Sequence, residues 1–176
     1  MIFKETKLND AWIIIPEKRE DIRGFFARTF CCEEFNKHAL DATFVQCNTS
    51  FNKRKGTIRG MHYQAPPYEE IKLVRCTWGA IYDVIIDLRP ESATYKQWVG
   101  VELNQQNLKS IYIPAGVAHG FQTLADNSEV FYQMSEFYHP EYARSVRWSD
   151  PVFNIEWPLP DIIISEKDST HPDFRS

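Results

Sequence analysis

The chain has 176 residues, 43% hydrophobic and 25% charged, with a formal net charge of −4. That length supports one sizeable core, so a single domain over residues 1–176 is expected, and the mildly acidic balance argues against a nucleic-acid partner, which needs a basic face. No apolar run approaches the roughly 20 residues of a membrane span, so no membrane partner is expected either.

The first segment, MIFKETKLNDAWIIIPEKRED, lacks the basic, apolar, small-residue order of a secretion signal, which makes the cytoplasm the expected compartment. Within it, Trp12–Ile15 is a short apolar strand closed by Pro16. Cys32–His38 reads as a helix. The four cysteines, at positions 31, 32, 47 and 76, include no CxxC pair, so reduced thiols are expected, with Cys47 and Cys76 as small core residues of strand-like runs. Lys53-Arg54-Lys55, between Asn52 and Gly56, reads as a solvated hairpin turn. Lys72–Thr77 alternates until Gly79 breaks it. Ala80–Asp87 is β-branched and aromatic and ends before Arg89-Pro90. Trp98–Leu103 alternates ahead of a turn at Asn104–Asn107. Ser110–Pro114 is a further strand, and Glu129–Ser135 follows the Asp126-Asn127 turn. One helical turn is expected near Pro140–Tyr142. From Trp148 onward Pro151, Pro158, Pro160 and Pro172 predict a segment that wraps the domain. Short strands at spacings of roughly 8–12 residues predict an all-β sandwich or barrel with few helices.

Chemistry concentrates between Gln46 and Val74, QCNTSFNKRKGTIRGMHYQAPPYEEIKLV, where Arg59, His62 and Lys72 lie within fourteen residues of each other around Gly60. Pro114–Phe121, carrying His119, and the tail Ser165–Asp168 are expected to complete the same pocket. An imidazole titrates near working pH, which makes His62 a base candidate, although an isolated histidine is more often a core residue. Lys72 can donate to a developing negative charge, or serve as a solvated residue at a strand end. Tyr132, with an ordinary phenol pKa of about 10, is a proton donor or an inward core aromatic. Asp83, in an otherwise apolar strand, requires a partner if it points inward. Arg23 and Arg59 carry guanidinium forks that match phosphate oxygens. Gln46 and Asn48 can hydrogen-bond a polar ligand, and Phe26 and Tyr138 either stack on a planar ring or pack. The set points to proton transfer on an anionic substrate.

Taken in order, Asp21–Phe26 (DIRGFF), Arg59–Gln64 (RGMHYQ), Lys72–Val74, Asp83, Pro114–Phe121 (PAGVAHGF), Trp148–Pro151, Trp157-Pro158 and Ser165–Asp168 (SEKD) resemble the dTDP-4-dehydrorhamnose 3,5-epimerase family over nearly the whole chain. The resemblance implies a cupin-type jelly-roll barrel and a homodimer with exchanged N-terminal strands. It also implies a cofactor-independent epimerase that inverts C3 and C5 of dTDP-4-keto-6-deoxy-D-glucose, next to the C4 ketone that acidifies both positions. Asp168 takes the role of orienting His62, Lys72 and Tyr132 those of enolate donor and acid, and Asp83 and His119 those of pocket residues. Gln46 and Asn48 are then expected on phosphate or sugar hydroxyls, and Tyr138 and Phe26, the latter from the partner subunit, around the nucleobase. Many cupins bind a metal through His-x-His; here that stretch is His62-Tyr63-Gln64, and no metal is expected because an amide is a poor substitute for imidazole. One departure concerns the base. Arg28 stands where the family often has an acidic residue, and an arginine suits the N3 acceptor of cytosine rather than the N3–H of thymine. dTDP is therefore the expected carrier and CDP the alternative, as mono-epimerisation at C3 or C5 is to double inversion. A non-catalytic sugar-binding cupin would have no use for His62, Lys72, Tyr132 and Asp168 together.

Overall fold

Period-two alternation sets the architecture. From Lys72 to Trp78, Val74 and Cys76 face one apolar layer while Leu73 faces another. The computed structural model describes residues 1–174. Its strands are β1 (Ile2–Glu5), β2 (Trp12–Ile15), β3 (Lys18–Asp21), β4 (Gly24–Ala27), β5 (Gln46–Asn52), β6 (Ile58–Gln64), β7 (Lys72–Trp78), β8 (Ala80–Asp87), β9 (Trp98–Asn104), β10 (Ser110–Ile113), β11 (Val117–Thr123), β12 (Ser128–Met134) and β13 (Ala143–Ser145). The helices are short: α1 (Cys32–Asn36) and α2 (Glu166–Ser169).

Antiparallel ladders assemble a six-stranded sheet, β1-β2-β10-β7-β12-β5, and a five-stranded sheet, β13-β6-β11-β8-β9. The two pack face to face over Val74, Cys76, Ile81, Ile85, Ile111, Ile113 and Val130, the jelly-roll arrangement of a cupin. Each of these side chains, buried, contributes roughly 1.5–3 kcal/mol of transfer free energy if of Val or Ile size. Both outer faces are also covered. Phe35 of α1 and Leu40 seal Ile14, Leu73 and Tyr112. On the other side Val146, Phe153 and Trp157 seal Val84, Ile86 and Ala118, so the proline-rich segment does wrap the sandwich.

Two expectations need correction. α1 ends at Asn36, and Lys37–Leu40 continue as hydrogen-bonded turns. The helical turn expected near Pro140 is present, the N–H groups of Tyr142 and Ala143 both donating to the His139 carbonyl. Cys76 is buried, but Cys47 is exposed: on β5 the inward positions are Gln46, Asn48, Ser50 and Asn52, which puts Cys47 on the outer face of an edge strand. β3 and β4 form a separate two-stranded ribbon, with Ile22 fully exposed at its turn and Phe26 69% exposed.

Candidate active site

The inner faces of the strands turn from apolar to polar toward one end of the sandwich. On β7 the residues facing inward run Lys72, Val74, Cys76; on β12 they run Met134, Tyr132, Val130. Lys72 and Tyr132 thereby enter a cleft of about 870 Å³, a size that suits a nucleotide sugar. Gln46 and Asn48 of β5, Arg59 and His62 of β6, His119 of β11, Tyr138 and Asp168 line the same cleft.

Strict alternation would send Arg59 and His62 to opposite faces. Gly60 lies between them at φ +136°, and the β6–β11 register shifts at the matching place, between His119 and Phe121. A Cβ on Gly60 would stand 2.5 Å from the Gly120 Cα, so two glycines let the strands cross closely enough for this change of phase. Arg59 and His62 then share the cleft, while Met61 and Tyr63 pack outward. His62 is also the cross-strand partner of His119.

His62 Nε2 lies 2.9 Å from Asp168 Oδ1, across 106 residues of chain. Asp168 sits in the four-residue α2, whose cap Ser165 accepts from the Asp168 N–H at 3.1 Å. Burial pushes the Asp168 carboxyl up, but hydrogen bonds from His62, the Gly60 N–H and Ser165, with the charge of His62, bring it below its ordinary value. An ionised Asp168 accepts the Nε2 proton, leaving the other ring nitrogen of His62 as a base.

Lys72 Nζ is 2.7 Å from Glu70 Oε1 and donates to the His62 carbonyl at 3.2 Å. Burial raises the Tyr132 phenol and the nearby Arg59 charge partly offsets this, so the phenol keeps its proton at neutral pH. Arg59 donates through Nε to Asn52 Oδ1 at 2.7 Å, which fixes its guanidinium plane. Gln46 accepts the Tyr138 N–H at 3.3 Å and approaches Asn48 at 3.4 Å. Tyr138, half exposed, stands at the mouth.

Asp83, expected to bind substrate, does not line the cleft. It lies between Ile81 and Ile85 on the inner face of β8, fully buried, and meets the pocket through His119 Nε2 at 2.8 Å. Burial drives its carboxyl up against the opposing charges of His119 and Lys72. Arg23, Phe26 and Arg28 are not brought to this chain's cleft. Arg23 pairs with Asp21 at 2.5 Å on the exposed ribbon, and Arg28 pairs with Glu34 of α1 at 3.0 Å. Gln64, at the place of a second metal-binding imidazole, is fully engaged elsewhere. Its amide nitrogen donates to the carbonyls of Tyr68 and Phe137, and its oxygen accepts the His139 N–H. Asn52 and Glu70 complete the site and were not expected from the sequence. Asn52 was signalled by its place in the polar inward row of β5, whereas Glu70 precedes its strand and carries no such pattern.

A histidine–carboxylate pair, a buried lysine and a protonated phenol line one cleft of a cupin-type jelly roll, a set equipped for proton transfer. Residues 5–176 match the family model described as dTDP-4-dehydrorhamnose 3,5-epimerase. The chain is 46% identical to the dTDP-4-dehydrorhamnose 3,5-epimerase of Methanothermobacter thermautotrophicus, covering 98% of this chain and 94% of that one. Its fold matches the crystal structure of the dTDP-4-dehydrorhamnose 3,5-epimerase from Elizabethkingia anophelis NUHP1 with a TM-score of 0.95 at 37% identity, over 99% of this chain and 96% of that one. The enzyme of the same name from Bacillus anthracis, solved with TDP and PPi bound, matches with a TM-score of 0.94 at 38% identity, over 98% and 100% of the chains. The chain belongs to the dTDP-4-dehydrorhamnose 3,5-epimerase family.

Proposed function

We propose that the protein inverts C3 and C5 of dTDP-4-keto-6-deoxy-D-glucose, giving dTDP-4-keto-L-rhamnose. The observation that carries this reading is the convergence of the His62–Asp168 pair, Lys72 and Tyr132 on one cleft. The substrate's C4 ketone makes the hydrogens on C3 and C5 acidic, so the reaction needs a base, a donor for the enolate oxygen and an acid, and no cofactor. His62 removes the α-proton and passes into the imidazolium form, which the Asp168 carboxylate stabilises. Lys72 donates to the oxygen as it gains charge. Tyr132 returns a proton from the opposite face, and Arg59 stabilises the phenolate this leaves. Arg59 also clamps diphosphate, with Gln46 and Asn48 on neighbouring oxygens and His119, held by Asp83, beside the sugar.

Arg23, Phe26 and Arg28 enter this scheme through a homodimer. The β3–β4 ribbon exposes Phe25, Phe26 and Ile22 without a cover from its own chain, which supports a ribbon that exchanges into the cleft of a partner subunit. Arg28 already has a partner in Glu34 within its own chain, and the Bacillus anthracis relative was solved with TDP, which supports dTDP as the carrier. No described helix is long and apolar enough to cross a membrane, and the reading places the reaction in the cytoplasm. Incubating the purified protein with dTDP-4-keto-6-deoxy-D-glucose and identifying the product by proton NMR tests the assignment. Formation of the L-lyxo sugar is expected; a sugar that keeps its configuration at both carbons contradicts it.

A further inference from the structure

The buried pair Glu70–Lys72 has no part in the scheme so far beyond the ammonium of Lys72. The two side chains are 3% and 8% exposed, and their charged atoms are 2.7 Å apart. Burying an ammonium without a counter-charge costs several kcal/mol, so a lysine in this wall needs a carboxylate at contact distance. The geometry of the pair goes further than charge balance.

An ammonium has three N–H donors and no other polar function. At Lys72 one meets Glu70 Oε1 and a second meets the His62 carbonyl. One remains for a ligand. Glu70 is itself anchored: its second oxygen, Oε2, accepts the Gln64 backbone N–H at 3.0 Å. Gln64 is fastened in turn through both ends of its side chain to Tyr68, Phe137 and His139. Lys72 lies on β7 of the six-stranded sheet, whereas His62 and Gln64 lie on β6 of the five-stranded sheet. Glu70 therefore ties the lysine of one sheet to the strand that carries the base in the other. Asp83, the second carboxyl that the Lys72 charge acts upon, reaches no hydrogen-bond partner with its Oδ1, so it does not substitute for Glu70 as an anchor.

We propose that Glu70 is a positioning residue that fixes the Lys72 ammonium relative to His62 and leaves its single free N–H for the enolate oxygen. The inference rests on Lys72 as the enolate donor, and it assigns Glu70 no contact with substrate.

Glu70→Gln keeps shape and one acceptor while removing the charge. Its kcat is expected to fall roughly tenfold or more, short of the 10²–10³ that follows outright loss of a donor. KM and the affinity for dTDP alone are expected to stay within about twofold, because positioning acts on the transition state rather than on binding. In the Lys72→Met background, the same Glu70→Gln change is expected to produce no further loss of α-proton exchange, since the two residues act as a unit. An unchanged kcat overturns the proposal, and so does a loss carried mainly by KM or dTDP affinity. An independent loss in the Lys72→Met background also overturns it. A ¹⁵N-lysine spectrum reads the pair without any substrate: the Lys72 ammonium resonance is expected to move in Glu70→Gln, and one that stays put refutes the pairing. Absence of turnover by the wild-type protein would instead sink the epimerase reading, while this spectrum still decides whether Glu70 holds Lys72.

Discussion

Asp87 shows how strongly single side chains secure the frame around the cleft. Its fully buried carboxylate accepts from Arg89 Nε and Nη2 at 2.9 Å, and from the hydroxyls of Ser92 and Thr94 at 2.6 Å. Burial raises its pKa, but these donors outweigh burial and hold it at about 2 against an ordinary 3.8. A depressed carboxyl stabilises the fold fully above its unfolded value and less as pH falls through its folded one. Asp87 is thus expected to contribute up to roughly 2 kcal/mol above pH 4, lost between about pH 4 and pH 2. Denaturant titrations at pH 7 and pH 3 check this: Asp87→Asn should be clearly destabilised at pH 7, with the gap to wild type narrowing on acidification. The site residues differed in how far the sequence revealed them. Arg59, His62 and Lys72 stood out because they crowd one short stretch, whereas the strand pattern alone left Tyr132 readable as an inward core aromatic. Asp168 stood in a tail expected to complete the pocket, but its pairing with His62 came only through family resemblance, because no local pattern joins residues 106 positions apart. Glu70 escaped notice, since an acid in a coil two residues before a lysine reads as solvated.

At the scale of elements, the site depends on the crossing of β6 and β11. Strands such as β7 and β12 were legible because apolar and polar positions partly alternate along them, and β8 because it is rich in β-branched and aromatic residues. β11 was not read as a strand: all seven of its residues are buried, so VAHGFQT shows no contrast between faces. The change of phase at Gly60 was hidden for a related reason, as it depends on a glycine in a different strand. A Cβ at Gly120 would lie 2.6 Å from the Met61 Sδ and 2.7 Å from the Arg59 carbonyl oxygen. Gly120→Ala is therefore expected to destabilise the fold by about 1–3 kcal/mol and to push β6 off its partner. Because β6 carries both Arg59 and His62, the variant should lose turnover and nucleotide affinity together. Chemical denaturation and dTDP titration of the same preparation measure the two effects. Full stability with wild-type affinity would show that the glycine crossing is not what sets the phase.

For the whole molecule, the sandwich and its wrapping tail followed from strand spacing and proline placement, whereas the proposed use of the β3–β4 ribbon rests on an assembly of two chains. Intragenic complementation tests that assembly. In a mixed dimer of Arg23→Ala and His62→Ala protomers, a ribbon acting in trans brings an intact Arg23 to the one cleft that keeps His62. Activity near half that of wild type is then expected from mixed dimers, against little from either parent; a mixture no better than its parents would return Arg23 to its own chain. The proposed mechanism has His62 start inversion by removing the hydrogens beside the ketone. Its most direct test is proton NMR of dTDP-4-keto-6-deoxy-D-glucose in D₂O, following C3–H and C5–H separately with wild-type and His62→Ala protein. Loss of both signals in wild type is expected, with exchange slowed roughly 10²–10⁴-fold in the variant while dTDP still binds. Exchange in His62→Ala at the wild-type rate would contradict the account.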